Sequence, residues 1–325
     1  MLPNRWDPDN FQRTLENPRL LERELRIWFS KVTEPLYRFR QKRRYLDGLD
    51  VMEKDWDNLI LLDACRFDYF ENRNPIPGEL QSVTSMGSTS SEFIESNFIG
   101  RNLHDTIYVT ANPYVEMLSE DVFYSVENLL VDQWQTDPGT VPPDAVRDAA
   151  VEANERNPDK RLIIHFMQPH TPYLGPTATE IRERFAIDDA YNRYQCVDGA
   201  DVETSGYGIH GAAMQGLIPV RDVRQAYSET LDIVLDSVTS LLSQVDGKSV
   251  ITADHGELLG ERFTPLSHRR YGHPSGSYAR ELRVVPWLQI SCDTRRRVVS
   301  EAPVGFERLD ETTARDRLQA LGYLS

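Results

Sequence analysis

Two short acidic motifs each follow a run of apolar residues. The first is Asp63-Ala-Cys-Arg66-Phe-Asp68, after Asn58-Leu-Ile-Leu-Leu62. The second is Asp254-His255-Gly256-Glu257, after Ser249-Val-Ile-Thr252. Such runs read as strands buried on both faces of a parallel sheet. In open α/β sheets, ligands gather beyond the carboxyl ends of the strands. Two such ends would bring Asp63, Asp254 and His255 to one edge. Two carboxylates and an imidazole form a donor set for a divalent cation. An Asp after a strand is also an ordinary helix cap, so Asp63 alone says little. Gly256 permits a tight turn beside the second pair.

Between the motifs lies a hydroxyl-rich loop, Ser82-Val-Thr-Ser-Met-Gly-Ser88-Thr89-Ser90-Ser91-Glu92-Phe93, which opens a helix. A helix N-terminus offers unpaired N–H groups and the positive end of the dipole, so it suits an anion. A Ser or Thr there, beside a divalent cation, can act as a nucleophile. The same loop needs an N-cap, and Ser90 or Ser91 is expected to serve.

Two histidine loops add proton-transfer groups. Gln168-Pro-His170-Thr-Pro-Tyr173 follows an apolar run, and Ser267-His268-Arg-Arg-Tyr-Gly-His273-Pro274 follows the second acidic motif. A histidine between prolines after a strand can contact a phosphoryl oxygen or protonate a leaving group. Gly272 and Pro274 fix the loop around His273, which is favoured over His268. His165, inside an apolar strand, reads as a satisfied core histidine, while His104 and His210 carry no signal.

These residues need a scaffold. Further strands are expected at 106–110, 161–167 and 283–290, and helices at 92–98, 143–154 and 220–244. Strand–helix alternation over this length predicts an α/β layered sheet. Residues 174–216 have few apolar runs and read as a long excursion that could cover a site.

The first fifty residues differ. Arg19 to Arg44 places Leu20, Leu21, Leu25, Ile27, Trp28 and Phe29 near helical spacing. Pro35 is expected to interrupt the pattern, and Arg38, Arg40, Lys42, Arg43 and Arg44 cluster at the end. A basic amphipathic helix can lie on an anionic membrane surface; the plainer reading is a helix packed on the main domain with a solvated basic face. The division expected is an N-terminal helical, partly basic segment at 1–54 and a catalytic domain at 55–325.

Composition excludes several classes. The chain has 325 residues, 40% hydrophobic, and a mean hydropathy of −0.50, with no apolar run long enough to span a bilayer. Three cysteines (Cys65, Cys196, Cys292) make no disulfide scaffold. No apolar leader is visible at the start, so a cytoplasmic protein is expected. The formal net charge is −15, which argues against nucleic acid as a partner. Of 36 basic residues only five are lysine. An acidic, arginine-rich surface fits a halophilic origin, where salt screens self-repulsion; a GC-rich genome would bias codons the same way.

Taken in order, the motifs resemble the alkaline phosphatase superfamily, and its sulfatase-type branch in particular. That branch includes sulfatases, phosphonate monoester hydrolases and phosphoglycerol transferases. Leu61-Leu-Asp63-Ala-Cys-Arg66-Phe-Asp68 is similar to its opening Asp-x-x-Arg-x-Asp. Pro-His170-x-Pro-Tyr173, Asp254-His255-Gly and the tail Arg317-Leu-Gln-Ala-Leu-Gly-Tyr323-Leu follow in the family order. The likeness runs from about Trp56 to the end. It implies a mostly parallel central sheet flanked by helices on both faces. It implies metal ligands at Asp63, Asp254 and His255, a nucleophile at Ser88 or, with one inserted residue, Thr89, and substrate-facing histidines at His170 and His273. The sulfatase signature Cys/Ser-x-Pro-x-Arg is absent, and Ala64 stands where sulfatases carry a second Asp. The resemblance therefore points to a hydrolase or transferase acting on phosphate esters, with sulfate esters or a non-catalytic member as alternatives. One divalent cation is expected, Mn²⁺ or Mg²⁺ ahead of Ca²⁺ or Zn²⁺. The substrate expected is an anionic ester, free or linked to a glycan or lipid.

Overall fold

Every residue of Asn58–Leu62 is buried, and its side chains divide between two apolar layers. The computed structural model describes residues 18–185, 187–188, 193–194, 208–264 and 267–320. In chain order the elements are α1 (Pro18–Tyr45), β1 (Asn58–Leu62), α2 (Phe67–Arg73), β2 (Glu79–Thr84), α3 (Ser90–Asn97), β3 (Leu103–Thr110), β4 (Phe123–Asn128), α4 (Pro143–Arg156) and β5 (Arg161–Phe166). There follow α5 (Pro176–Phe185), the short β6 (Ile187–Asp188) and β7 (Arg193–Tyr194), α6 (Gly208–Met214) and α7 (Val220–Leu242). The chain continues through β8 (Ser249–Thr252), β9 (Leu258–Glu261), β10 (Arg270–Gly272), α8 (Arg280–Arg283), β11 (Val284–Ile290) and α9 (Glu311–Ala320).

Seven strands form the central sheet in the order β2-β11-β8-β1-β5-β3-β4. Strands β8, β1, β5, β3 and β4 pair in parallel, while β11 is antiparallel to both β8 and β2. Side chains alternate faces with a period of two. Ile60 and Leu62 join Phe70 of α2, Val146 and Ala150 of α4, and Leu231, Val234 and Val238 of α7. Leu59 and Leu61 join Phe93 and Ile94 of α3, with Ile163, Val250 and Trp287. Burial of this kind stabilises by about 1.5–3 kcal/mol per large apolar side chain. The expected class, a mostly parallel sheet covered by helices on both faces, is the one observed.

Register positions the site. Leu61 lies opposite Thr252 and Leu62 opposite Phe166. Carried two residues onward, the β1–β8 register sets Asp63 beside Asp254.

Three features depart from expectation. Helix α1 runs through Pro35 without a break. Pro35 is exposed and costs the helix one backbone hydrogen bond, while Tyr37 and Glu34 hold the helix to the domain. Strand β2, exposed along much of its length, lacks the apolar signature of a strand and forms by pairing with β11. Strand β4 was likewise unexpected. Of the excursion at 174–216, positions 186, 189–192 and 195–207 lie outside the described residues, as do Leu321 to Ser325 of the tail.

Candidate active site

Asp63, Asp254 and His255, just beyond the carboxyl ends of β1 and β8, meet His165, the last residue but one of β5, all fully buried. His255 Nε2 is 3.5 Å from both Asp63 Oδ1 and Asp254 Oδ2. His165 Nε2 is 3.7 Å from Asp254 Oδ2 and 4.0 Å from Asp63 Oδ2. The three sequence-read ligands therefore do come together, and His165 joins them. It is not a satisfied core histidine: its Nδ1 meets Tyr108 Oη at 2.7 Å, but its Nε2 makes no hydrogen bond. The one available signal was its place in the strand that pairs with β1.

Backbone geometry fixes the carboxylates. Ala64 sits at φ 60°, a left-handed conformation rare outside glycine. Its N–H donates to Asp254 Oδ1 at 3.1 Å, and its carbonyl accepts from Tyr227 Oη at 2.8 Å. Asn112 Nδ2 donates to Asp63 Oδ2 at 2.7 Å. Gly256 passes so close to α8 that a Cβ there would lie 2.1 Å from Glu281 O. Only glycine lets the Asp-His-Gly-Glu turn pack.

The hydroxyl that reaches this cluster belongs to Ser90. Its Oγ donates to Asp63 Oδ2 at 3.2 Å and lies 3.3 Å from His255 Nε2. The expectation of Ser88 or Thr89 does not fit this geometry. Thr89 is the N-cap of α3, where its side chain accepts from Glu92 N, and its Oγ1 meets Ser91 Oγ at 3.0 Å. Neither Ser90 nor Ser91 is the cap. Ser88 turns the other way: its Oγ accepts from Ser277 N at 3.1 Å and lies 2.9 Å from Glu92 Oε2. Glu92 also takes Ser88 N at 2.8 Å and, through Oε1, Ser275 Oγ and Gly276 N at 2.6 Å each. Thr89 as N-cap makes Ser90 the first helical residue, and Glu92 reaches back past the cap to Ser88 N.

Protonation follows from these contacts. His255 Nδ1 donates to Gly256 O at 2.8 Å, which leaves Nε2 as the acceptor facing Ser90 and the carboxylates. Burial lowers the His255 pKa, favouring the neutral ring. Burial would raise that of Asp254, but His255 and then His165 outweigh it, and the carboxyl is held well below its usual range. Asp254 Oδ2 makes no hydrogen bond. Buried carboxylates this close repel unless a cation lies between them. The unsatisfied Asp254 Oδ2 and His165 Nε2, facing a neutral imidazole nitrogen, fit a divalent cation.

Beside this cluster His170, Glu257 and His273 bring their ligand atoms within 4.8 Å of one another. His273 Nδ1 lies 3.3 Å from both oxygens of Glu257, and its ring is 4.5 Å from that of His255 and 4.9 Å from that of His170. Burial opposes charge on His273, yet Glu257 overrides it and raises its pKa; the reciprocal attraction holds Glu257 down at about 2. Burial, helped by His273, lowers His170 to about 3, so its ring is neutral. His210, without signal in the sequence, is buried and bonded through Nε2 to Tyr173 Oη at 2.7 Å. Cys65 is buried, and burial raises its thiol pKa well above normal. His268 is not among the residues gathered here.

No family model matches the chain, and no curated protein does. Several solved structures are similar in fold. One is the soluble domain of lipooligosaccharide phosphoethanolamine transferase A from Neisseria meningitidis (11% identity, TM-score 0.43, 71% of this chain and 75% of that one). Another is the C-terminal periplasmic domain of EcEptC from Escherichia coli in complex with Zn (14%, 0.44, 76% of each). A third is an alkaline phosphatase superfamily protein from Vibrio parahaemolyticus (13%, 0.40, 85% and 68%). Among the described residues no helix is long and apolar enough to cross a membrane.

Proposed function

We propose that this chain is a metal-dependent enzyme that cleaves or transfers phosphate esters through Ser90. The observation that carries the reading is the Ser90 hydroxyl at the first turn of α3, within hydrogen-bonding distance of both Asp63 and His255. Asp63, Asp254, His255 and His165 would hold one divalent cation. Such an ion supplies positive charge that lowers the serine pKa and offsets charge on the phosphoryl oxygens. Mn²⁺ or Mg²⁺ suits the carboxylates, and the imidazoles admit Zn²⁺.

The chain's own residues do the rest. Asp63 Oδ2 accepts the Ser90 proton as Oγ forms a bond to phosphorus. The positive end of the α3 dipole, where Ser90 sits, faces the growing negative charge. His273, kept protonated by Glu257, donates to the leaving oxygen as its bond to phosphorus breaks. Neutral His170 gives its Nδ1–H to Thr171 O, so its Nε2 can accept a hydrogen bond from the attacking water or alcohol. Water or an acceptor alcohol then attacks phosphorus and gives its proton to His273, while the bond from phosphorus to Ser90 Oγ breaks and Oγ takes back the proton held by Asp63.

Phosphorus is favoured over sulfur because Ser90-Ser91-Glu92 lacks the Pro and Arg of a sulfatase loop and Cys65 is buried away from it. The test is a p-nitrophenyl panel (phosphate monoester, bis-phosphodiester, phosphonate ester, sulfate) in molar salt with Mn²⁺ or EDTA. Metal-dependent release from a phosphorus ester, lost in Ser90→Ala and kept in Ser88→Ala, is the expected result. Release from sulfate alone would establish the sulfatase reading instead. Release that survives Ser90→Ala would remove Ser90 from the chemistry.

A further inference from the structure

Helix α1 has two faces. Tyr37 stacks on Phe263 with ring centroids 4.7 Å apart, Thr33 Oγ1 lies 3.2 Å from Thr264 Oγ1, and Glu34 pairs with Arg270. Those contacts fix the helix to the domain beside β9 and β10. At 3.6 residues per turn, Val32, Leu36 and Phe39 fall on the opposite side. They are 59%, 64% and 60% exposed, and Leu46, just past the helix, is 51% exposed. Three large apolar side chains in one turn-to-turn stripe are more than the scattered exposure normal for a soluble surface.

The charge around the stripe is the reverse of the chain's. From Lys31 to Leu46 there are six basic residues, and the only acidic one, Glu34, is turned inward and paired. Arg40 and Arg44 flank one edge of the stripe, Lys31, Arg38 and Lys42 the other, and Arg43 continues it. A groove of about 560 Å³ runs along the Arg40 edge, with Phe29, Leu36 and Phe263 in its wall and Arg40 and Arg44 beside them. An apolar strip bordered on both sides by cations, on a molecule of net charge −15, is complementary to a lipid surface with anionic headgroups.

We propose that α1 docks this protein on an anionic membrane surface. Val32, Leu36 and Phe39 enter the headgroup–acyl boundary, and the flanking arginines and lysines meet lipid phosphates. The helix is tied to the candidate site: Lys42 Nζ lies 5.6 Å over the Tyr278 ring, and the neighbouring Ser277 N–H donates to Ser88. Docking therefore sets the 274–278 loop close to the membrane. The inference stands on the faces of α1 alone and not on the reading of the site.

Flotation of the full chain with vesicles tests it. Vesicles of phosphatidylcholine mixed with phosphatidylglycerol should carry the protein upward, vesicles of phosphatidylcholine alone should not, and added salt should weaken binding. Leu36→Glu/Phe39→Glu and Arg40→Glu/Arg43→Glu should each reduce binding at least about tenfold with Tm unchanged. Val304→Glu, at an exposed apolar residue elsewhere, should bind as the parent does. Ser90→Ala should float normally even if it abolishes turnover, which separates this inference from the proposed activity. No flotation with anionic vesicles would overturn the proposal, as would flotation unchanged in Leu36→Glu/Phe39→Glu. A dimer in light scattering that this variant dissociates, or a marked fall in its Tm, would assign the stripe to a second copy or to the chain itself.

Discussion

Ser90 Oγ lies 3.3 Å from His255 Nε2, and this contact selects one hydroxyl from a loop that offers several. Thr89 spends its side chain as the N-cap of α3, and Ser88 spends its own on Glu92 and the 274–277 loop. Ser90→Ala should lower turnover by at least about a thousandfold while Tm and metal binding change little. Ser88→Ala should keep most turnover and lower stability by about 1–2 kcal/mol, because Ser277 N loses its acceptor. Steady-state kinetics and thermal denaturation of the two variants check both halves.

Chelation should destabilise the protein. Asp63 Oδ1 and Asp254 Oδ2 each lie 3.5 Å from His255 Nε2, and Asp254 Oδ2 makes no hydrogen bond. A bound ion at a hundredfold excess over its Kd would contribute about 2.7 kcal/mol to the folded state. EDTA should therefore lower Tm, and Mn²⁺ or Zn²⁺ should restore it. Asp254→Asn should abolish the restoration, and His165→Asn should weaken it about 10–100-fold in metal concentration. Calorimetric titration should give one ion per chain. Two per chain would place an ion on His170, Glu257 and His273.

Much of this was legible in the sequence because its signals are local. The apolar runs at 58–62, 161–166 and 249–252 are buried strands, and the residues that follow two of them supply Asp63, Asp254 and His255. What was not legible depends on pairing across the fold. His165 reads as core because its strand is apolar, and only the β1–β5 register turns it toward the carboxylates. Strand β2 carries exposed polar residues and exists through β11. Matching the loop to a motif points to Ser88 or Thr89, whereas the hydroxyl that lies against Asp63 and His255 is that of Ser90. Thr89 three residues before Glu92 would have marked Ser90 as the first helical residue.

Gly256→Ala should be among the most damaging single substitutions. The added Cβ would meet the backbone oxygen of Glu281 at 2.1 Å, and the N–H of Gly256 already bonds to Leu282 O at 2.9 Å, so the turn and α8 are tied at the point of the clash. The loss expected is about 2–4 kcal/mol, with metal affinity falling alongside because His255 and Glu257 sit on either side. Chemical denaturation and metal titration of the variant measure the two effects. Wild-type stability would show that α8 moves freely.

Glu92 ties the start of α3 to the loop carrying His273, and its titration should be visible in stability. Burial would raise its pKa, but hydrogen bonds from Ser275, Ser88 and Gly276 outweigh burial and set it below 4.5. A carboxyl depressed on folding stabilises the protein above its unfolded pKa, and that contribution fades as pH falls through the folded value. Glu92→Gln should therefore lower Tm at neutral pH. The gap from the parent should close as pH falls below about 4.5, where the parent's carboxylate takes up its proton. KM should rise in the variant more than kcat falls, because the 274–277 loop is loosened while Ser90 keeps its partners. A Tm gap that stays constant down to acid pH would show that the carboxylate's charge does not hold the loop.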